Sequence, residues 1–149
     1  MTDTDPAGDA GPVRAWWQRL GLPGLFDAHV HFMAPPVQRA VWDVFAMAEL
    51  HPKLARPWPI RYRLPDAERV ALLRAFGVRR FSALPYAHKP GVAEFLNDWA
   101  RGFAADVSES LWSATFYPEE SAPAYVGELV EAGVEVFKVH VQVGEFHLD

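Results

Sequence analysis

The chain has 149 residues, half of them hydrophobic and 22% charged, with a formal net charge of −5; that is the length and composition of one globular domain. Fourteen Lys and Arg stand against nineteen Asp and Glu and form no basic stripe, which argues against a nucleic-acid partner. Cysteine is absent, so disulfides and thiolate metal sites are excluded, and any metal must be held by His, carboxylate or a modified lysine.

In chain order, residues 1–12, "MTDTDPAGDAGP", are small, acidic and poor in apolar side chains, and read as a disordered acidic tail before a domain over 13–149. They lack the basic start and apolar stretch of a secretory signal. No segment reaches the apolar length of a membrane span. A cytoplasmic protein without a membrane partner is therefore expected. "VRAWWQRLGLPG" reads as a short helix ending at Gly21, with Trp16 and Trp17 in a core or interface.

A strand–helix rhythm follows. A first strand is expected at about 24–32, a second at 78–86 after the helix "DAERVALLRAFG", a third at 111–117 and a fourth at 134–143. Between the second and third strands, Val92, Phe95, Leu96, Trp99, Ala100 and Phe103 form one stripe at helical spacing. Before the fourth strand, "SAPAYVGELVEAG" offers Ser121 as a cap and Gly133 past the helix end. Alternation of this kind indicates βα units and a parallel sheet. One insertion, at about 36–65, interrupts it with the helix "PPVQRAVWDVFAMAEL" and the arm "HPKLARPWPIRYRLP". Four prolines bar that arm from regular helix or central strand. Because it leaves the carboxyl end of a strand, where α/β active sites lie, it reads as a lid or pocket wall rather than a plain surface excursion.

The segment "GLFDAHVHF" carries the chemistry. Side chains alternate along a strand, so Asp27, His29 and His31 share one face while Phe26, Ala28, Val30 and Phe32 share the other. The apolar set suits packing under helices. The polar set must face a crevice, where an unpaired imidazole is costly. Two imidazoles at i and i+2 converge well enough to bind one divalent cation, and zinc accepts such nitrogens at roughly 2.0–2.1 Å. Two hydrogen-bonded core histidines are the competing explanation. In "FKVHVQV" the same alternation places Lys138, His140 and Gln142 together. A lysine in a buried strand is rare without a partner. It would be deprotonated, carbamylated into a bridging ligand, or paired with a carboxylate such as Asp27. His140 is a candidate ligand, proton carrier or substrate contact.

Loops after the second and third strands would border the same pocket. "YAHKPG" offers His88 and Lys89, with His88 a candidate substrate contact or proton carrier and otherwise a solvated loop histidine. "YPEE" offers Glu119 and Glu120, which read as solvent-facing or helix-starting carboxylates. His51, in the proline arm, is a weaker candidate.

"LPGLFDAHVHFMAPP", with its D-x-H-x-H, and "GVEVFKVHVQVG" resemble the amidohydrolase superfamily of metal-dependent hydrolases. The branch related to aminocarboxymuconate-semialdehyde decarboxylase is the most similar. "GVRRFSALPYAHKPG" and "ATFYPEE" fit the second and third strands, so the resemblance runs from about residue 20 onward. It implies a (β/α)8 TIM barrel with a zinc-type site, His29 and His31 as first-strand ligands, and a metal-activated water attacking a C–N or C–O bond of a small-molecule substrate. Related members perform non-oxidative decarboxylation at the same site. Some branches carbamylate a fourth-strand lysine, the position of Lys138, and others leave it unmodified. The resemblance also implies a later histidine and a strand-eight aspartate, which this chain lacks, since His147 lies just beyond the fourth strand. A full barrel takes about 250 residues, so the expectation is an incomplete barrel of four βα units. Its open sheet edges would favour a homo-oligomer or a complementing C-terminal half, and alone it would be a non-catalytic fragment.

Overall fold

The computed structural model describes residues 6–47, 60 and 63–147. Over them the chain is mixed α/β: six helices with a three-stranded sheet ordered β1-β2-β3 and a separate two-stranded sheet, β4-β5. Among the described residues no helix is long and apolar enough to cross a membrane. The chain divides into two compact units, one of residues 1–26 and 35–79, the other of 27–34 and 80–149.

In the first unit, α1 (Pro6–Arg19) starts within the expected tail, so the part of that tail from Pro6 onward is helical. A proline suits a helix's first turn, where its missing N–H costs nothing. Trp17 is the buried tryptophan of the pair, and Trp16 stays 56% exposed. The helix α3 (Asp66–Phe76) ends where Gly77 adopts φ +88, its N–H bonded back to Arg74. A Cβ there would run into the Trp17 ring, so glycine is required twice over. Trp17 Nε1 donates to Phe76 O at 2.8 Å, and the Arg14 guanidinium donates to Arg74 O and Ala75 O at 3.0 and 2.9 Å. Thus α1 caps the last carbonyls of α3. The helix α2 (Pro35–Ala46) matches the expected insertion helix, and its buried Gln38 accepts from Arg69 at 3.1 Å. The proline arm, His51 included, lies outside the described residues apart from Ile60 and 63–65.

The second unit holds the carboxyl ends of the strands. The strands β1 (Leu25–Val30) and β2 (Val78–Ala83) advance in the same sense, since Leu25 N–H donates to Gly77 O and Leu84 N–H to Val30 O. The next strand, expected whole at 111–117, is broken into β3 (Ser110–Leu111), parallel to β2, and β4 (Ser113–Thr115). The break has a local cause. The Ser110 and Ser113 hydroxyls both donate to Leu111 O, and the Trp112 N–H is taken by the Glu135 carboxylate; side-chain bonds of this type compete with the ladder. Trp112 therefore belongs to neither strand.

The fourth expected strand is also shorter. Only β5 (Val136–Lys138) is extended, parallel to β4 with Thr115 opposite Lys138. At His140 the backbone turns into α6 (Val141–Gly144), and His140 Nδ1 accepts the Val143 N–H. Gln142 is consequently an exposed helical residue and does not share a strand face with Lys138. The first-strand faces need correcting too. Of the apolar set only Phe32 is fully buried, stacked on Phe103 at 4.7 Å, whereas Phe26 is 57% exposed. Burying a Phe like this contributes on the order of 2–3 kcal/mol. In α4 (Ala93–Asp106), Leu96 and Ala100 reach the core, but Phe95 falls off the stripe and is exposed. Ser121 stands at the N-cap of α5 (Ala122–Glu131) but makes no capping bond, while Gly133 is left-handed past its end as expected.

Candidate metal centre

The strand β1 carries His29, and His31, two positions later and the first residue beyond the strand's end, presents its ring on the same side. Their Nε2 atoms face each other at 3.1 Å. Tetrahedral zinc, bonded to nitrogen at about 2.0–2.1 Å, spaces neighbouring ligand nitrogens about 3.3 Å apart, so the pair already has the spacing of one ligand edge. His31 Nδ1 lies 2.8 Å from Leu84 O. A carbonyl only accepts, so Nδ1 carries the proton, and Nε2 of neutral His31 accepts a hydrogen bond from His29 Nε2–H. A backbone carbonyl fixing the far nitrogen in this way is the usual support of a ligating imidazole. Asp27 takes no part at the pair; its Oδ1 accepts the His29 N–H at 3.1 Å.

Electrostatics favours neutral His31 and His140. His31 is held below the ordinary 6.5 chiefly by burial, against the opposing bond to Leu84, with the charges of His29, Lys138 and His140 adding to the depression. His140 is lowered by burial and then by Lys138. Metal ligation needs neutral imidazole, so both shifts act in its favour. The same influences place Lys138 and His140 in the electrostatic neighbourhood of the pair. Lys138 makes no ion pair with Asp27 among the described residues. Between His31 and His140 stands Tyr86, 5.3 Å from one ring and 5.1 Å from the other. Burial raises its pKa, so its phenol is neutral.

Two polar residues hold this end of the unit in register. Asn97, buried on α4, donates to Thr115 O and accepts from Thr115 N–H at 2.9 and 2.8 Å. The Thr115 hydroxyl donates to Lys138 O at 2.7 Å and accepts the Ala87 N–H at 3.1 Å. One fully buried threonine thus joins α4, β4, β5 and the loop after β2. That loop is pinned again where Glu119 Oε2 accepts the Gly91 N–H. Glu119 also accepts from Tyr125, so it is a loop anchor rather than a solvent-facing carboxylate. Glu120 is exposed, as is His88 between the two pins, its pKa lowered by burial and by Lys89.

Of the residues singled out from sequence, the structure brings His29 and His31 together, sets Lys138 and His140 near them, and leaves His88 on the adjoining loop. Tyr86, Asn97 and Thr115 were not singled out. Tyr86 stands two residues before His88 in the same pocket-bordering segment. Asn97 is a polar residue beside an apolar helical stripe, which is the usual mark of a buried hydrogen-bonding role. Among the described residues no group of three or more His, Cys, Asp or Glu side chains is gathered closely enough to hold a metal ion. Comparison with protein-family models, with curated proteins and with solved structures finds no match to this chain.

Proposed function

We propose that this chain carries part of the active site of a metal-dependent hydrolase of the amidohydrolase type, acting on a small molecule in the cytoplasm. The observation that carries the reading is the His29–His31 pair, with facing Nε2 atoms at 3.1 Å and the far nitrogen of His31 fixed by Leu84 O. His29 and His31 would hold a divalent ion, zinc by its preference for such nitrogens. Bound there, the metal supplies an acidified water for attack on a C–N or C–O bond. Lys138 and His140 would contact the substrate or carry protons beside the pair, and His88 would reach it from the loop. Non-oxidative decarboxylation is the sibling chemistry that the same groups would serve. The test is metal content after purification in zinc-supplemented medium. Stoichiometric zinc, lost in His29→Ala and His31→Ala, supports the reading; none in the unsubstituted protein removes it.

A second observation bears on completeness. Two imidazole nitrogens fill half of a tetrahedral shell, and β1 is an edge strand with Phe26 exposed. This favours a barrel-type arrangement in which further βα units, from a second copy or a complementing half, close the sheet and supply the remaining ligands. Light scattering after size exclusion should then give a mass above that of one chain. A stable monomer would count against it.

A further inference from the structure

Three tyrosines lie among the described residues, and two of them have structural duties. The Tyr117 hydroxyl donates to Gly144 O at 3.0 Å. The Tyr125 hydroxyl accepts the Tyr117 N–H at 3.2 Å and donates to Glu119 at 3.3 Å. Tyr86 differs, because no hydrogen bond joins its hydroxyl to another described residue. Its backbone, by contrast, is held on both sides. Two residues earlier, Leu84 N–H donates to Val30 O at 2.8 Å and Leu84 O receives His31 Nδ1 at 2.8 Å. Pro85 is fully buried, and one residue later the Ala87 N–H is bonded to Thr115 at 3.1 Å. The ring itself is wedged edge-on against His31 (interplanar 87°) and tilted against His140.

A pinned backbone, a ring fixed by two imidazoles and a hydroxyl with no internal task describe a group that is presented rather than used for packing. A side chain ordered before its ligand arrives loses little freedom on binding. We propose that Tyr86 is a substrate-binding residue whose hydroxyl donates a hydrogen bond to a carbonyl or carboxylate oxygen of a small molecule held at the His29–His31 pair. This rests on the metal-site reading above and adds to it the class of acceptor the substrate must bring.

The test uses the full chain loaded with Co2+, whose visible absorption reports its coordination, and acetohydroxamate as an oxygen-donor probe. Tyr86→Phe keeps the ring and removes only the hydroxyl. Expected are unchanged cobalt affinity and acetohydroxamate binding weakened about five- to tenfold, the loss of one hydrogen bond. Tyr117→Phe, which loses the bond to Gly144, should bind the probe as the unsubstituted chain does. Equal probe affinity in Tyr86→Phe would overturn the assignment and leave the metal site standing. Weakened cobalt binding in Tyr86→Phe would also overturn it, because the ring would then be positioning His31. No cobalt binding by the unsubstituted chain would remove the metal site and this role together.

Discussion

Thr115 and His31 are both polar, both sit at the carboxyl ends of strands in one compact unit, and both bond a neighbouring segment's backbone. Around Thr115 every partner is accounted for: its N–H, carbonyl and hydroxyl are met by Asn97, Ala87 and Lys138 at 2.7–3.1 Å. Around His31, Nδ1 is bonded to Leu84 O and Nε2 to the ring of His29. The first arrangement is what burial demands of polar groups that hold structure. The second bonds two imidazoles to each other, and a divalent cation can take up both rings in place of that bond.

The comparison is broken most severely at Asn97. Asn97→Ala strands the Thr115 N–H and carbonyl in the core, and urea denaturation should show a loss of about 3 kcal/mol. Thr115→Val keeps the shape and removes the two hydroxyl bonds, with an expected loss of about 2 kcal/mol, whereas Thr115→Ser should recover most of it. At the histidines the order reverses. His29→Ala should move stability by less than about 1 kcal/mol at neutral pH, and His31→Gln, which also gives up the bond to Leu84 O, by about 1 kcal/mol. Both should abolish zinc retention, measured by elemental analysis.

The pH dependence sharpens the same contrast. His31 has a folded pKa below its unfolded value of 6.5, so the unfolded chain binds more protons at mildly acid pH. Stability is therefore fully present above 6.5 and declines as pH falls below it toward the depressed folded value. His140 adds in the same direction. Thermal unfolding followed across this range should be flatter in His31→Gln, and an unchanged slope would contradict the assigned burial. The smallest effect belongs to the half-exposed Arg80–Glu135 pair at 3.5 Å, where Arg80→Ala should cost no more than about 0.5 kcal/mol.

What could be read from sequence was local. The bounds of α3, the left-handed Gly77 and Gly133, and the convergence of His29 with His31 all follow from residue spacing and backbone preference within a few positions. The misreadings came from partners far along the chain. Periodicity carried the third strand through Trp112, where Glu135 takes the amide. It carried the fourth past His140, where the imidazole caps a helical turn instead. It buried Phe26, whose exposure depends on what covers β1. Tyr86 escaped notice for the same reason, since its role appears only when β2's loop, His31 and His140 are seen together.

The first twelve residues look disposable on composition, and an expression plasmid that drops the short helix with them would start near Gly21. That shortening would strip Arg14 and Trp17 from the carbonyls of Arg74, Ala75 and Phe76. It would also uncover the hollow beside Gly77 that the indole fills. Aggregation of such a trimmed product would report a missing lid on α3 and would say nothing about the chemistry of the histidines.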